Sequence, residues 1–118
     1  MFDQGKTLIS NWKKNRVELS NLFHNKQYEL AVGPMKTCLD DFTKSLYIVN
    51  NEQWNEHKSI EFDIHNFRYK PFNVIERVRF IKDHPKQYHC YIQLNELFKE
   101  IEKIYAKAEI MEKNKKTT

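Results

Sequence analysis

An all-α domain is the fold class this chain predicts, and three observations predict it. Its apolar residues recur at spacings of three and four, the helical period. Two glycines and three prolines in 118 residues are too few for a sheet built on tight hairpins. Eight Phe, six Tyr and two Trp supply the bulk for a core, which disordered chains lack. The length suits one domain, expected over residues 1–112 as a small up-and-down bundle of four main helices. A polar, lysine-rich tail is expected over 113–118.

The first helix is expected over about 7–24, where Ile9, Trp12, Leu19, Leu22 and Phe23 make an inward stripe and Lys13, Lys14 and Glu18 face out. The second is expected over about 28–49, with Met35, Cys38, Leu39, Phe42, Leu46 and Val49 inward. Proline suits a first helical turn and is costly deeper in, so Pro34 predicts a start near itself or a kink. Asn50-Asn51 stops this helix. Residues 50–72 are the least regular part. Ile60 to His65 alternates apolar and polar side chains, a strand period, but one unpartnered strand is not stable. The segment therefore reads as an extended connector between helices two and three, pinned by Trp54, Phe62 and Phe67. Asn73 followed by Glu76 resembles a capping box and starts the third helix, which buries Val74, Val78 and Ile81 and ends at Asp83-His84-Pro85. The last helix is expected over about 88–113, with Tyr91, Leu94, Phe98, Ile101, Tyr105 and Ala108 as its buried seam.

Several functions lack their residues. Gly5 and Gly33 are isolated, so no phosphate-binding loop forms, and no cofactor is expected. No His-Glu-x-x-His, Cys-x-x-Cys or paired Glu-x-x-His motif is present for a metal. Cys38 and Cys90 read as reduced core thiols. No apolar run reaches the length of about 20 residues that spans a bilayer, and Lys13, Lys14 and Arg16 break the one candidate export segment. The expected location is the cytoplasm, with no membrane partner.

The net charge of +4 is concentrated in residues 64–89, where Arg68, Lys70, Arg77, Arg79, Lys82 and Lys86 face only Glu76 and Asp83. With Tyr69 and Tyr88 these six make a candidate binding face, basic and aromatic as nucleic-acid recognition requires. The charge is modest for a dedicated nucleic-acid binder, and a solvated face is the plainer reading. Arg77 lies beside the inward face of its helix, so it needs a carboxylate partner, with Glu96 and Glu100 as the candidates. That pairing would be structural. His84 and His89 read as capping or surface residues.

Arg79-Phe80-Ile81-Lys82-Asp83-His84 resembles the Arg-x4–6-His motif of the HEPN helical ribonucleases. In such sites the arginine steadies phosphate charge and the histidine moves protons. The family places a polar residue after the arginine, whereas Phe80 stands here. A longer match begins at Lys70. Lys70-Pro71, Asn73-Val74, Glu76-Arg77, Phe80-Ile81, Pro85, Tyr88-His89, Gln93-Leu94 and Glu96-Leu97-Phe98 resemble the YpoC-like family of Gram-positive bacteria. The resemblance implies an accessory housekeeping role and names no catalytic residue. The resulting expectation is a non-enzymatic helical interaction protein that binds a protein partner. A weak nucleic-acid binder using residues 64–89 is the alternative, and a small ribonuclease centred on Arg79 and His84 the second. Oligomeric state is not predicted.

Overall fold

The structure, a computed structural model, describes the backbone of residues 2–117 and the side chains of residues 2–114. The described residues form five α-helices and one 3-10 turn, and no strand. The helices are α1 (Asp3–His24), α2 (Tyr28–Val49), α3 (Ile60–Asp63), α4 (Val74–Asp83) and α5 (Tyr88–Thr117), with the 3-10 turn at Ile64–Asn66. All-helical is therefore the fold class. The extended connector is corrected, because its middle coils into α3 and the 3-10 turn and brings the helix count to five.

Local chemistry sets most boundaries. Helices α1 and α2 both end in Schellman motifs. The Lys26 N–H donates to the Phe23 carbonyl and the Gln27 N–H to Leu22, with Lys26 at φ 58°. At the end of α2, Asn51 donates to Ile48 and Glu52 to Tyr47, with Asn51 at φ 59°. Helix α2 runs through Gly33-Pro34 from Tyr28, so the start at Pro34 is not used. Proline has no N–H for the Leu30 carbonyl, but Leu30 is exposed, so water can serve it. The cap of α4 is also corrected: Asn73 makes no side-chain capping bond and instead adopts the left-handed conformation at φ 52°. Asparagine tolerates that geometry better than most residues. Helix α5 continues to Thr117, so the backbone of the expected tail is helical. Thr118 and the side chains of residues 115–118 lie outside the described residues.

The core is shared by every long helix. Helix α1 packs along α2, and α5 packs against α1, α2 and α4. Trp12 of α1 stacks on Phe98 of α5 at 4.8 Å between ring centres, and Phe98 meets Phe42 of α2 edge-on at 5.6 Å. The Trp12 indole N–H donates to Asn95 Oδ1 at 3.0 Å, so its polar edge is satisfied. All six seam residues expected on α5, and Val74, Val78 and Ile81 of α4, are buried. Cys38 and Cys90 are buried free thiols, and burial pushes each up to about 11. Of the three connector pins, Phe67 is buried, Trp54 is partly buried, and Phe62 points to solvent at 76% exposure. The Phe62 expectation failed because the alternation that suggested a strand is wound into a helical turn.

Candidate functional site

The connector and α4 do not close fully over α2. They leave a groove of about 660 Å³ above the buried core side chains of Met35, Leu39, Val78 and Ile81. Trp54, Ile60, Ile75 and Pro85 add apolar walls, and the rim carries Lys36, Lys58, Arg79 and Lys82 together with Asp40, Glu56, Glu61 and Asp83. The two signs of charge are balanced. Desolvation raises the Asp40 carboxyl above its ordinary value, opposed by Lys44 and Lys82. Lys44 also lies over the Trp54 ring at 5.5 Å, a cation–π contact that holds one wall. Sequence reasoning missed this groove, because it depends on how the connector folds back to bring residues from Met35 to Pro85 together.

The eight residues of the expected basic face occupy three places. In the connector, Arg68 lies over the Tyr69 ring at 5.2 Å, and Lys70 Nζ donates to the Ile64 carbonyl at 3.3 Å. On α4, Arg79 and Lys82 line the groove, whereas Arg77 turns toward α5. Arg77 Nε donates to Gln93 Oε1 at 2.7 Å, Nη1 to the Phe72 carbonyl and to Glu100, both at 3.0 Å, and Nη2 to Glu100 Oε2. Glu100 is thus the carboxylate that the buried-arginine argument required, and Arg77 is a structural clamp. Lys86 and Tyr88 lie at the opposite end. Lys86 pairs with Glu29 of α2 at 2.6 Å, and Tyr88 meets Phe23 of α1 edge-on at 6.0 Å.

Ion pairing changes the charge of the window. Arg77, Arg79 and Lys86 are matched by Glu100, Glu61 and Glu29, all from outside it. Among the described residues Arg68, Lys70 and Lys82 form no ion pair, although Lys82 acts electrostatically on the Asp40 carboxyl. Arg79 donates to Glu61 Oε1 through Nε at 3.2 Å and through Nη2 at 2.6 Å. The exposed His84 ring stands 5.2 Å from Phe80. Arg79 and His84 are therefore engaged with different neighbours. Among the described residues no group of three or more His, Cys, Asp or Glu side chains could hold a metal ion. No helix is long and apolar enough to cross a membrane, among those residues.

Fold and surface together define a small all-helical protein with an open groove walled by partly buried apolar side chains and a basic window whose cations are half paired. Its family is shown by sequence. The chain belongs to the YpoC-like family, whose model matches residues 3–113. It is 30% identical over 112 residues to the uncharacterised protein YpoC of Bacillus subtilis (strain 168), covering 92% of this chain and 68% of that relative. No solved structure matches it.

Proposed function

We propose that this chain is a non-enzymatic accessory protein of the cytoplasm that binds a protein partner in the groove between α2, the connector and α4. The four long helices serve as an up-and-down bundle that carries the groove. The observation that supports this reading is the groove itself: the partly buried apolar side chains of Trp54, Ile60, Ile75 and Pro85 inside a rim of both charges. Such a trough suits an amphipathic helix of another protein, with apolar anchors inward and flanking charges of both signs. Nucleic-acid binding has less support, since half of the window's cations are already paired. The ribonuclease reading has less support for the same reason, with Arg79 engaged by Glu61.

The test is capture from the protein's own cells with a photo-crosslinking residue at position 36, followed by mass spectrometry. One specific partner is expected, resistant to high salt, lost in Ile75→Asp and retained in Val17→Asp on the exposed side of α1. Circular dichroism checks that both variants fold. A partner indifferent to Ile75→Asp, or no partner, would overturn the assignment.

A further inference from the structure

One wall of the groove is a stretch of chain with little to hold it down. From Asn50 through Asp63 no residue is buried, whereas Val49 before it and Ile64 after it are. Helix α3, inside this stretch, buries none of its four residues. Backbone hydrogen bonds from residues 53–63 stay local. The Lys58 N–H donates to the Asn55 carbonyl at 3.1 Å, and the Phe62 and Asp63 N–H groups donate to Ser59 at 3.2 and 3.0 Å. None of them reaches α2 or α4. Few buried contacts and few long-range hydrogen bonds mark a unit that opens while the rest of a fold stays intact.

The two ends of the stretch are tied together at a fixed neck. The Asn50 side chain donates to the Leu46 carbonyl at 2.9 Å and bonds both the N–H and the carbonyl of Tyr69, at 2.9 and 2.7 Å. Phe67 packs edge-on against Tyr47 at 4.9 Å. Residues 51–63 can therefore lift on this neck and leave the bundle in place. Side-chain contacts keep them down. Lys44 lies over the Trp54 ring at 5.5 Å and Lys58 over the Tyr47 ring at 5.7 Å. The Tyr47 hydroxyl donates to Asp63 Oδ2 at 2.6 Å, and Arg79 Nη2 to Glu61 Oε1 at 2.6 Å. Trp54 and Ile60 add apolar contact with the core, both only partly buried. The Glu61 pair is 55% exposed on each side, and exposed pairs hold weakly.

We propose that residues 51–63 are a lid on the groove, closed in this structure, and that its opening uncovers Met35 and Leu39 of α2 for the partner. The proposal rests on the protein-partner reading and adds its regulation. Trp54, Ile60 and Glu61 line the groove together with Met35 and Leu39, which are 0% and 7% exposed. Lifting the lid widens the trough and bares those two side chains. The partner's apolar anchors then take the places that Trp54 and Ile60 leave. A partner that binds the open state draws the population toward it. The closed lid is thus an autoinhibitory contact, latched by Glu61 to Arg79 and by Asp63 to Tyr47.

Opening is measured without a partner, by iodoacetamide labelling of Leu39→Cys in a Cys38→Ala, Cys90→Ala background. The thiol at position 39 should react in the folded chain, at a rate that low urea barely changes. Leu94→Cys, fully buried and outside the groove lining, should react only through global unfolding. Glu61→Gln should speed labelling at position 39 by about two- to fivefold, the effect of one exposed ion pair. Asp63→Ala should speed it by about tenfold, the effect of a hydrogen bond to a charged group. Labelling at position 39 that rises with urea as steeply as at position 94, or that ignores both lid substitutions, would overturn the proposal. Hydrogen exchange of the unsubstituted chain gives a second readout. The Lys58, Phe62 and Asp63 amides should exchange ahead of α2 and α5, and exchange only together with those helices would equally overturn it. Asp63 lies outside the groove lining, so Asp63→Ala should also raise capture by the crosslinker at position 36. Faster labelling with unchanged capture would overturn the regulatory role. Absence of any captured partner would sink the partner reading, while labelling still decides the lid.

Discussion

Gly5 shows how one atom decides a substitution. An added Cβ there would lie 1.8 Å from the Tyr105 hydroxyl. That hydroxyl cannot swing aside cheaply, because it donates to the Ser45 carbonyl on α2 and the ring is 2% exposed. Glycine to alanine inside a helix ordinarily gains up to about 1 kcal/mol. Here Gly5→Ala should instead cost about 1–3 kcal/mol through overpacking, measured as a lower urea midpoint. Tyr105→Phe should not restore it, because the ring carbons Cζ and Cε2 would still lie 2.5 and 2.6 Å from the added Cβ. The two thiols make a separate residue-scale prediction. Burial raises both Cys38 and Cys90 from an ordinary 9.0 to about 11, with Asp41 adding to the rise at Cys38 and a hydrogen bond with Asn15 opposing it. A folded pKa above the unfolded one means that the folded chain holds the proton more tightly. The stabilisation is complete below 9.0 and is lost as pH rises through about 11. Wild type should therefore lose more stability across that interval than Cys38→Ala with Cys90→Ala, measured by urea unfolding. Iodoacetamide at neutral pH should label the thiols only after unfolding.

At the scale of elements, Asn73 separates two ways of starting a helix. If its side chain capped α4, threonine would replace it well, since both residues cap. The observed φ of 52° and the missing cap bond say otherwise. A β-branched residue is strained in that conformation, whereas glycine is free in it. Asn73→Thr should cost about 1 kcal/mol and Asn73→Gly should be neutral or slightly stabilising, read from thermal unfolding. The same position shows what the sequence made legible. The boundary at Val74 was visible in Asn73 and in the Val74, Val78, Ile81 stripe, although the mechanism was not, because Asn serves both as a cap and as a left-handed residue. The span of α2 followed from its buried stripe and Asn50-Asn51, even though Pro34 argued locally for a later start. Tertiary burial of Ala31 and Met35 on either side of Gly33-Pro34 outweighs the single missing hydrogen bond. Residues 60–66 were misread because a period of two over six residues fits a short helical turn as well as a strand. Of the candidate site, Arg77 with Glu100 was foreseeable from helix spacing. The groove and the pairing of Arg79 with Glu61 were not, since both depend on how the connector folds back.

Across the whole molecule, the distribution of ion pairs sets how many cations an approaching polyanion would find unpaired. The formal charge is +4, but the basic window is tied to acids on other elements, through Glu29 on α2, Glu61 on α3 and Glu100 on α5. These pairs differ in kind. Arg77 to Glu100 is partly buried, whereas Lys86 to Glu29 and Arg79 to Glu61 are exposed pairs worth little to stability. Their larger effect is on binding, because each withholds a cation from an incoming phosphate. Arg68, Lys70 and Lys82 alone should give a log–log salt slope of about −2 on single-stranded DNA, at about −0.7 per neutralised phosphate. Glu29→Gln with Glu61→Gln would release Lys86 and Arg79 while leaving the core untouched, and should steepen the slope to about −3.5. Fluorescence anisotropy of a labelled oligonucleotide across a salt series measures both. A wild-type slope already near −3.5 would mean that the surface pairs open on contact, and that the basic window is an available face despite them.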